Sequence, residues 1–277
     1  AAKILSENRD AFSGKVRLVF QPGEEIGKGA KPFVAAGVLE GAERVFGLHT
    51  AYDLEAGTVG LKPGINNAAV DHFRIRVHGK STHVSTPHLG VDALYIASQI
   101  VVAVQGLVTR RTSPTEPVII GIGRLNAGTT YNAVAAFAEM EGTTRTISQE
   151  SRDRVRAQVS ETAQSIAALY GGTAEVEWTD FAAALVNDPQ VCEEAARVVD
   201  ELLGAGHVVT DRELSLSGDN FAEFELYKPG AYAYLGTGNP DLPHTMITNH
   251  NGGFDVDENA LVTGAGLYVG YTVARLG

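Results

Sequence analysis

The sequence predicts an α/β protein in which a discontinuous, mostly parallel α/β domain is interrupted by a smaller inserted domain. Helical and strand-like segments alternate over residues 1–67 and again over residues 181–277. Such alternation is typical of a parallel sheet. Between these parts, residues 68–180 follow the order strand, helix, strand, strand, helix, strand. This is the βαββαβ order of a ferredoxin-like domain.

The outer domain is predicted from both ends of the chain. Before the insertion we expect a helix, a strand, a helix and a strand, at residues 1–7, 15–20, 29–36 and 44–49. After it we expect a helix, two strands and a last helix, at residues 189–203, 207–209, 231–235 and 257–276. Asn187 is the predicted N-cap of the first of these helices, because Pro189 suits a first helical turn.

The inserted domain is predicted from a change in hydrophobic period. Over residues 71–79, apolar side chains alternate with polar ones, which indicates a strand with one buried and one wet face. A helix, two strands, a helix and a strand follow at 91–109, 117–125, 136–146, 149–170 and 174–178. Ser148 is the predicted N-cap of the second helix.

Charge and composition restrict the partners. The net charge is −11, and the sequence lacks the clusters of Lys and Arg that binding to nucleic acid or an anionic membrane requires. No apolar segment approaches a membrane span in length. We therefore expect no nucleic acid and no membrane as partners, a small-molecule substrate and a cytoplasmic protein. Cys192 lies among apolar residues that repeat at helical spacing, so we expect its thiol to be buried.

Two adjacent acids, Glu24 and Glu25, follow an apolar run and a Pro-Gly pair. On extended backbone, successive side chains point in different directions, so one acid could ligate a cation while the other deprotonates its water. His49 ends a predicted strand and His250 lies in a Gly-rich loop. Imidazole and carboxylate together suit zinc or manganese. Solvated acids and a structural histidine remain alternatives.

Three further candidates lie in the inserted domain. His83 belongs to a turn-rich loop, where an exposed imidazole is well placed for function, although an ordinary turn residue is the alternative. Asn132 lies in a similar loop, and Arg145 lies on the adjoining strand. An Asn near an Arg would suit a ligand that carries a carboxylate, because Arg offers a fork of donors.

These segments occur in an order that resembles a known family. The motifs are Gln-Pro-Gly-Glu24-Glu25, Gly-Leu-His49, Gly-x-x-Thr-His83 with Pro87-His88-x-Gly90-x-Asp92-Ala93, Gly-Thr-Thr-x-Asn132, Gly-Thr-x-Arg145 and His250-x-x-x-Phe254-Asp-x-Asp-Glu258. They resemble the metal-dependent amidohydrolases that cleave N-acyl amino acids. That group includes aminoacylases, hippurate hydrolases and auxin-conjugate hydrolases of the di-metal exopeptidase superfamily.

The resemblance implies a role for each position. Glu24 matches the general base, Glu25 and His250 match ligands of one metal, and His49 matches a ligand of a second. Zinc or manganese, two per complete site, is the implied cofactor. His83 and Asn132 match residues that reach a substrate or oxyanion at the dimer partner's site, and Arg145 matches a substrate-carboxylate contact. The inserted domain would then be a lid and dimerisation domain, and the protein a homodimer.

The chain departs from the family pattern in two places. Gly218-Asp219-Asn220-Phe221 stands where Ser-Glu-Asp-Phe is usual, and the Cys-Gly-His-Asp-x-His segment, expected before residues 1–5, does not occur. The leading hypothesis is an N-acyl-amino-acid amidohydrolase without this segment. The alternatives are a catalytically silent homologue that dimerises or binds a ligand, and a dipeptidase of the same superfamily.

Overall fold

The computed structural model describes all 277 residues, and they form two compact units. The first unit comprises Ala1–Asn66, Leu185–Ser215 and Asp219–Gly277. The second comprises Asn67–Ala184 and Leu216–Gly218. The α/β class is confirmed, whereas the predicted roles of the two domains stay predictions.

Seven α-helices and ten strands make up these units. The helices are α1 (Ala2–Glu7), α2 (Ala30–Ala35), α3 (Ala93–Arg111), α4 (Gln149–Leu169), α5 (Pro189–Leu203), α6 (Ala222–Glu225) and α7 (Ala260–Leu276). The strands are β1 (Val45–Glu55), β2 (Val59–Gly60), β3 (Gly64–Asn67), β4 (Ala69–His78), β5 (Ile119–Ala127), β6 (Phe137–Thr146), β7 (Thr173–Ala182), β8 (Leu185–Asn187), β9 (Val208–Val209) and β10 (Gly230–Gly238).

The sheet of the first unit has the strand order β1-β10-β2-β9. β1 runs parallel to β10 and β2 runs parallel to β9, whereas β10 and β2 are antiparallel. Apolar side chains of α5 and α7 pack with those of β10 into one core. Cys192 on α5 is buried there, as predicted, and burial raises the pKa of its thiol to about 12.

The second unit has an antiparallel sheet in the order β5-β6-β4-β7, which is the ferredoxin-like order. Phe73, Ile75 and Val77 on β4 are fully buried in a core shared with α3 and α4. The alternate residues of β4 carry ion pairs on the wet face, including Arg74 with Glu141 at 2.8 Å. The predicted half-buried strand is therefore confirmed.

Helix α3 is long and apolar enough to cross a membrane, judged by length and composition alone. The expectation that no apolar segment approaches such a length is wrong in this respect. Ile96, Ile100 and Val104 of α3 are nevertheless fully buried in the core of the second unit. Since a core helix passes the same test, the observation is weak evidence for a membrane span.

The predicted strand at 15–20 is wrong, because this segment is irregular. Its apolar side chains are largely exposed, and Phe20 is 82% exposed. Arg17 anchors it by donating to the carbonyl oxygens of Val38 and Glu40. A strand needs a hydrogen-bonded neighbour, and no described strand pairs with these residues.

The predicted N-cap of α5 is also wrong, by one residue. The Asp188 carboxylate accepts from the backbone N–H groups of Gln190 and Val191 and so caps the helix. Asn187 is buried instead, and its amide exchanges hydrogen bonds with the backbone of Tyr232. Ser148 caps α4 as predicted, since its hydroxyl accepts from the N–H of Ser151.

Candidate active site

Glu24 and Glu25 lie on a tight loop of the first unit rather than at the end of a strand. They occupy a single 3-10 turn between Gly23 and Gly27, both of which have positive φ near +70°. A Cβ atom at Gly29 would lie 1.9 Å from the carbonyl oxygen of Pro22. The glycines therefore let the chain fold back on itself and present two acids within one turn.

Glu24 is the half-buried member of the pair, and Glu25 is exposed. The backbone N–H of Asn220 donates to the Glu24 carboxylate. Burial raises the pKa of Glu24, and the nearby carboxylate of Asp219 raises it further, while His49 acts in the opposite direction. A carboxylate with a raised pKa is a stronger base.

The surroundings of Glu24 are formed by the Gly218-Asp219-Asn220-Phe221 segment, which departs from the family pattern and to which the sequence assigned no role. Asp219 is buried, and its carboxylate accepts from the Tyr232 hydroxyl at 2.5 Å and from the Phe221 N–H at 2.8 Å. The Asn220 side-chain oxygen accepts from the Gln21 amide at 2.7 Å. The contacts with Tyr232 and Gln21 join segments that are apart in the chain, so no spacing in the sequence indicated them.

Glu25 and His250 are brought together. The His250 Nδ1 atom lies 3.7 Å from a Glu25 carboxylate oxygen, and both side chains are about three-quarters exposed, at 75% and 74%. His250 is the one non-glycine residue with positive φ, at 62°. Such a backbone conformation costs free energy and is concentrated at functional sites.

His49 lies on β1, half-buried between the rings of Tyr232 and Tyr234. Its Nδ1 atom is 2.7 Å from the carbonyl oxygen of Thr50. A carbonyl oxygen can only accept, so Nδ1 carries the proton and Nε2 keeps a free lone pair. A histidine ligates a metal through such an unprotonated nitrogen while its other nitrogen donates a hydrogen bond.

These donors fit a divalent metal in type, since one carboxylate and two imidazoles suit zinc or manganese. At 3.7 Å, the Glu25 and His250 side chains are close enough to bind the same cation. No group of three or more His, Cys, Asp or Glu side chains is close enough to hold a metal ion within the 277 residues. The roles of Glu25, His49 and His250 as metal ligands therefore stay predictions.

The second unit brings His83 and Asn132 together. The segments carrying them form an isolated bridge between His83 and Ala133, and the Val84 N–H donates to the Asn132 carbonyl at 3.1 Å. The Asn132 side-chain oxygen accepts from the Thr130 hydroxyl. An imidazole and an amide separated by 48 intervening residues therefore share one surface loop region.

Arg145 is not grouped with these two residues. Asn132 precedes the start of β6 at Phe137, whereas Arg145 lies eight residues further along the strand. At the usual rise per residue, the strand from Phe137 to Arg145 is about 26 Å long. The guanidinium is half-buried, burial lowers its pKa, and it makes no ion pair or side-chain hydrogen bond.

A cleft of about 390 Å³ lies elsewhere in the first unit, with Glu55, Asn239 and Asp257 among its lining residues. Its polar groups bond to one another, since the Asn239 amide donates to Asp257 at 2.7 Å. None of the candidate residues lines it.

Residues 1–273 match Peptidase family M20/M25/M40. The chain belongs to this family. Its resemblance to metal-dependent amidohydrolases is thereby confirmed at the family level. The α/β fold is also that of solved M20 structures. The Bacillus subtilis protein YXEP, described as a dinuclear metal binding peptidase from the M20 family, superposes with a TM-score of 0.82 at 32% identity. That alignment covers 99% of this chain and 69% of the other.

Two named M20 relatives have different activities. The N-acetyl-L-cysteine deacetylase of Bacillus subtilis (strain 168) is 37% identical over 262 residues, which cover 95% of this chain and 61% of the relative. Thermostable carboxypeptidase 1 of Saccharolobus solfataricus is 36% identical over 267 residues, which cover 95% and 67%. The chain thus spans about three fifths to two thirds of the length of these relatives.

Proposed function

We propose that this M20 chain carries the base and part of the metal-binding set of an amidohydrolase that cleaves the amide bond of N-acyl amino acids. The observation that carries the proposal is the grouping in the first unit. Glu25 lies 3.7 Å from His250, and the adjacent Glu24 is half-buried beside Asp219 and His49. The deacetylase relative supports an N-acyl amino acid as substrate.

Glu25 and His250 would hold one metal and His49 would help to hold a second, and these metals would supply Lewis-acid polarisation of the scissile carbonyl. Glu24 takes the proton of the attacking water and then delivers it to the leaving amine. The N–H of Asn220 stabilises the charged form of the Glu24 carboxylate, which is the form that accepts the proton.

His83 and Asn132 would donate hydrogen bonds to the oxygen that becomes negative in the tetrahedral intermediate. Arg145 would bind the carboxylate of a substrate other than the one that His83 and Asn132 of the same subunit reach, since the strand from Phe137 to Arg145 spans about 26 Å. Its half-buried guanidinium has no anion beside it in the protein, which supports this role. We further propose that the second unit forms a homodimer and that His83 and Asn132 act at the partner's site.

The first prediction is that Glu24→Gln abolishes hydrolysis without abolishing metal binding. The amide keeps the size and polarity of the side chain but cannot accept the proton, so we expect a loss of at least about 100-fold in kcat. Release of amino acid from N-acetyl amino acids would be measured with zinc or manganese present. Bound metal would be measured in the same samples after dialysis.

Glu193→Gln is the matched control, because Glu193 lies on the exposed face of α5 and the same chemical change there should leave kcat unchanged. Retention of most activity by Glu24→Gln would contradict the assignment of the base.

The same samples test a second candidate function, a module that dimerises or binds a ligand without catalysis. The lack of a three-donor metal group favours this candidate. Less than about half an equivalent of bound metal, with no hydrolysis of any acyl substrate, would support it over the enzyme. Release of amino acid from dipeptides but not from acyl substrates would favour a dipeptidase.

A further inference from the structure

In the turn that carries His83, Ser85 contacts the Nδ1 side of the imidazole ring. The Nδ1 atom of His83 lies 3.2 Å from the backbone nitrogen of Ser85, whose N–H points at it, and 2.7 Å from the Ser85 hydroxyl oxygen. Both residues are exposed, so the contact does not arise from packing in a core. It is a local bond between residues two apart.

The direction of these bonds determines where the proton of the neutral ring lies. A backbone N–H can donate but cannot accept, so Nδ1 must be the acceptor. A neutral imidazole has one N–H, which must therefore be on Nε2. The Ser85 hydroxyl can rotate to donate to the same Nδ1 atom and so reinforces this tautomer.

The backbone of the turn is fixed independently of the ring. The carbonyl oxygen of His83 accepts from the Thr86 N–H at 2.9 Å and from the Thr86 hydroxyl at 3.2 Å. The Thr82 and Thr86 hydroxyls lie 3.2 Å apart. With the bridge to Ala133, these bonds keep the Ser85 donors aimed at the ring.

We propose that Ser85 is a positioning residue that holds His83 as its Nε2–H tautomer. His83 then offers a hydrogen-bond donor at its exposed edge, which suits an oxygen that gains negative charge and does not suit removal of a proton. This inference rests on the proposed function for its purpose, but the tautomer itself is a property of the free protein.

The test uses ¹⁵N-labelled full chain without substrate. Nuclear magnetic resonance correlations between ring nitrogens and ring carbon-bound protons distinguish protonated from bare nitrogens. His83→Gln identifies the His83 signals among those of the eight histidines. At a pH where the ring is neutral, we expect a bare Nδ1 and a protonated Nε2.

Ser85→Ala removes the hydroxyl and leaves the backbone N–H. We expect the tautomer ratio to fall about fivefold, the size of one ordinary hydrogen bond. Ser85→Thr should restore it. Ser81→Ala is the matched control, since Ser81 is exposed in the same loop and makes no hydrogen bond to His83. A proton on Nδ1 in the unaltered protein, or an unchanged ratio in Ser85→Ala, would overturn the proposal.

A kinetic measurement separates this inference from the proposed function. In an active sample, Ser85→Ala should lower kcat by about fivefold and leave KM within about twofold, because the donor acts on the transition state. An unchanged kcat would contradict the inference. If no acyl substrate or peptide is hydrolysed, the proposed function fails, and the nitrogen signals still decide the tautomer.

Discussion

At the scale of single residues, Glu225 is a buried acid that the proposed reaction does not use. One of its carboxylate oxygens accepts from the Val186 N–H at 3.0 Å, and the other is buried without a partner. Burial raises the pKa of this carboxyl to about 8, and the carboxylates of Asp219 and Asp188 contribute. At neutral pH the folded protein therefore keeps a proton that an unfolded chain releases.

The sign of the pH dependence follows. Between the ordinary carboxyl value of 4.5 and about 8, only the folded state binds this proton, so the free energy of unfolding falls as pH rises. The limit is about 1.4 kcal/mol per pH unit. We predict that Glu225→Gln removes this decline, measured by urea unfolding from about pH 5 to about pH 8.

The exposed Glu193→Gln variant serves again as control and should keep the decline of the unaltered protein. An equally steep decline in Glu225→Gln would show that Glu225 is not its source.

Residue type and position alone left solvated acids and a structural histidine as alternatives for Glu24, Glu25 and His49, and the order of the motifs, through its resemblance to a family, gave these residues and His250 their expected roles. Their pairing was not readable, since the contact between Glu25 and His250 joins residues 225 positions apart. Asp219 was noted only as a departure from the family motif, and its contacts were unreadable for the same reason. Its importance depends on the Tyr232 hydroxyl and on closeness to Glu24, and both are tertiary contacts.

At the scale of elements, α4 is tied to its sheet by a buried ion pair. The Arg152 guanidinium on α4 donates two hydrogen bonds to Asp71 on β4, at 2.9 Å and 2.6 Å. Both side chains are almost completely buried. Removing the Asp71 charge would leave the buried Arg152 guanidinium with the more exposed carboxylate of Asp180, 3.5 Å away, which is a weaker partner.

We predict that Asp71→Asn lowers the free energy of unfolding of the second unit by about 3 kcal/mol. Trp178, the one tryptophan, packs against Phe73 in this unit and reports its unfolding by fluorescence. Arg124→Gln is the control. Arg124 is exposed and lies 3.6 Å from the half-buried Glu141, so we expect a loss below about 1 kcal/mol. Equal losses in both variants would contradict the special role of burial.

Elements with a clear period were predicted well, and elements that depend on a neighbour were not. The alternation in β4 and the helical period of α4 show which face of each element is buried, and the residues of the element itself are enough to reveal it. The run at 15–20 has strand-like residues, but a strand also requires a partner. The two-residue strand β2 was not predicted, because it is too short to show any period.

At the scale of the whole molecule, the proposed homodimer can be tested through the two units. If His83 of one subunit completes the site that contains the partner's Glu24, neither Glu24→Gln nor His83→Ala is active as a homodimer. Dimers that contain one subunit of each variant have one intact site, formed by the normal Glu24 of one chain and the normal His83 of the other.

We therefore predict that mixing the two inactive variants in equal amounts, with exchange of subunits, restores activity. Half of the dimers would be mixed and half of their sites intact, which gives about a quarter of the unaltered activity. Sedimentation at micromolar concentration would verify the dimer in each sample. A mixture of Glu24→Gln with Glu24→Gln,His83→Ala is the control, because no site then has a base. Dimers without restored activity would mean that His83 acts within its own subunit or not at all.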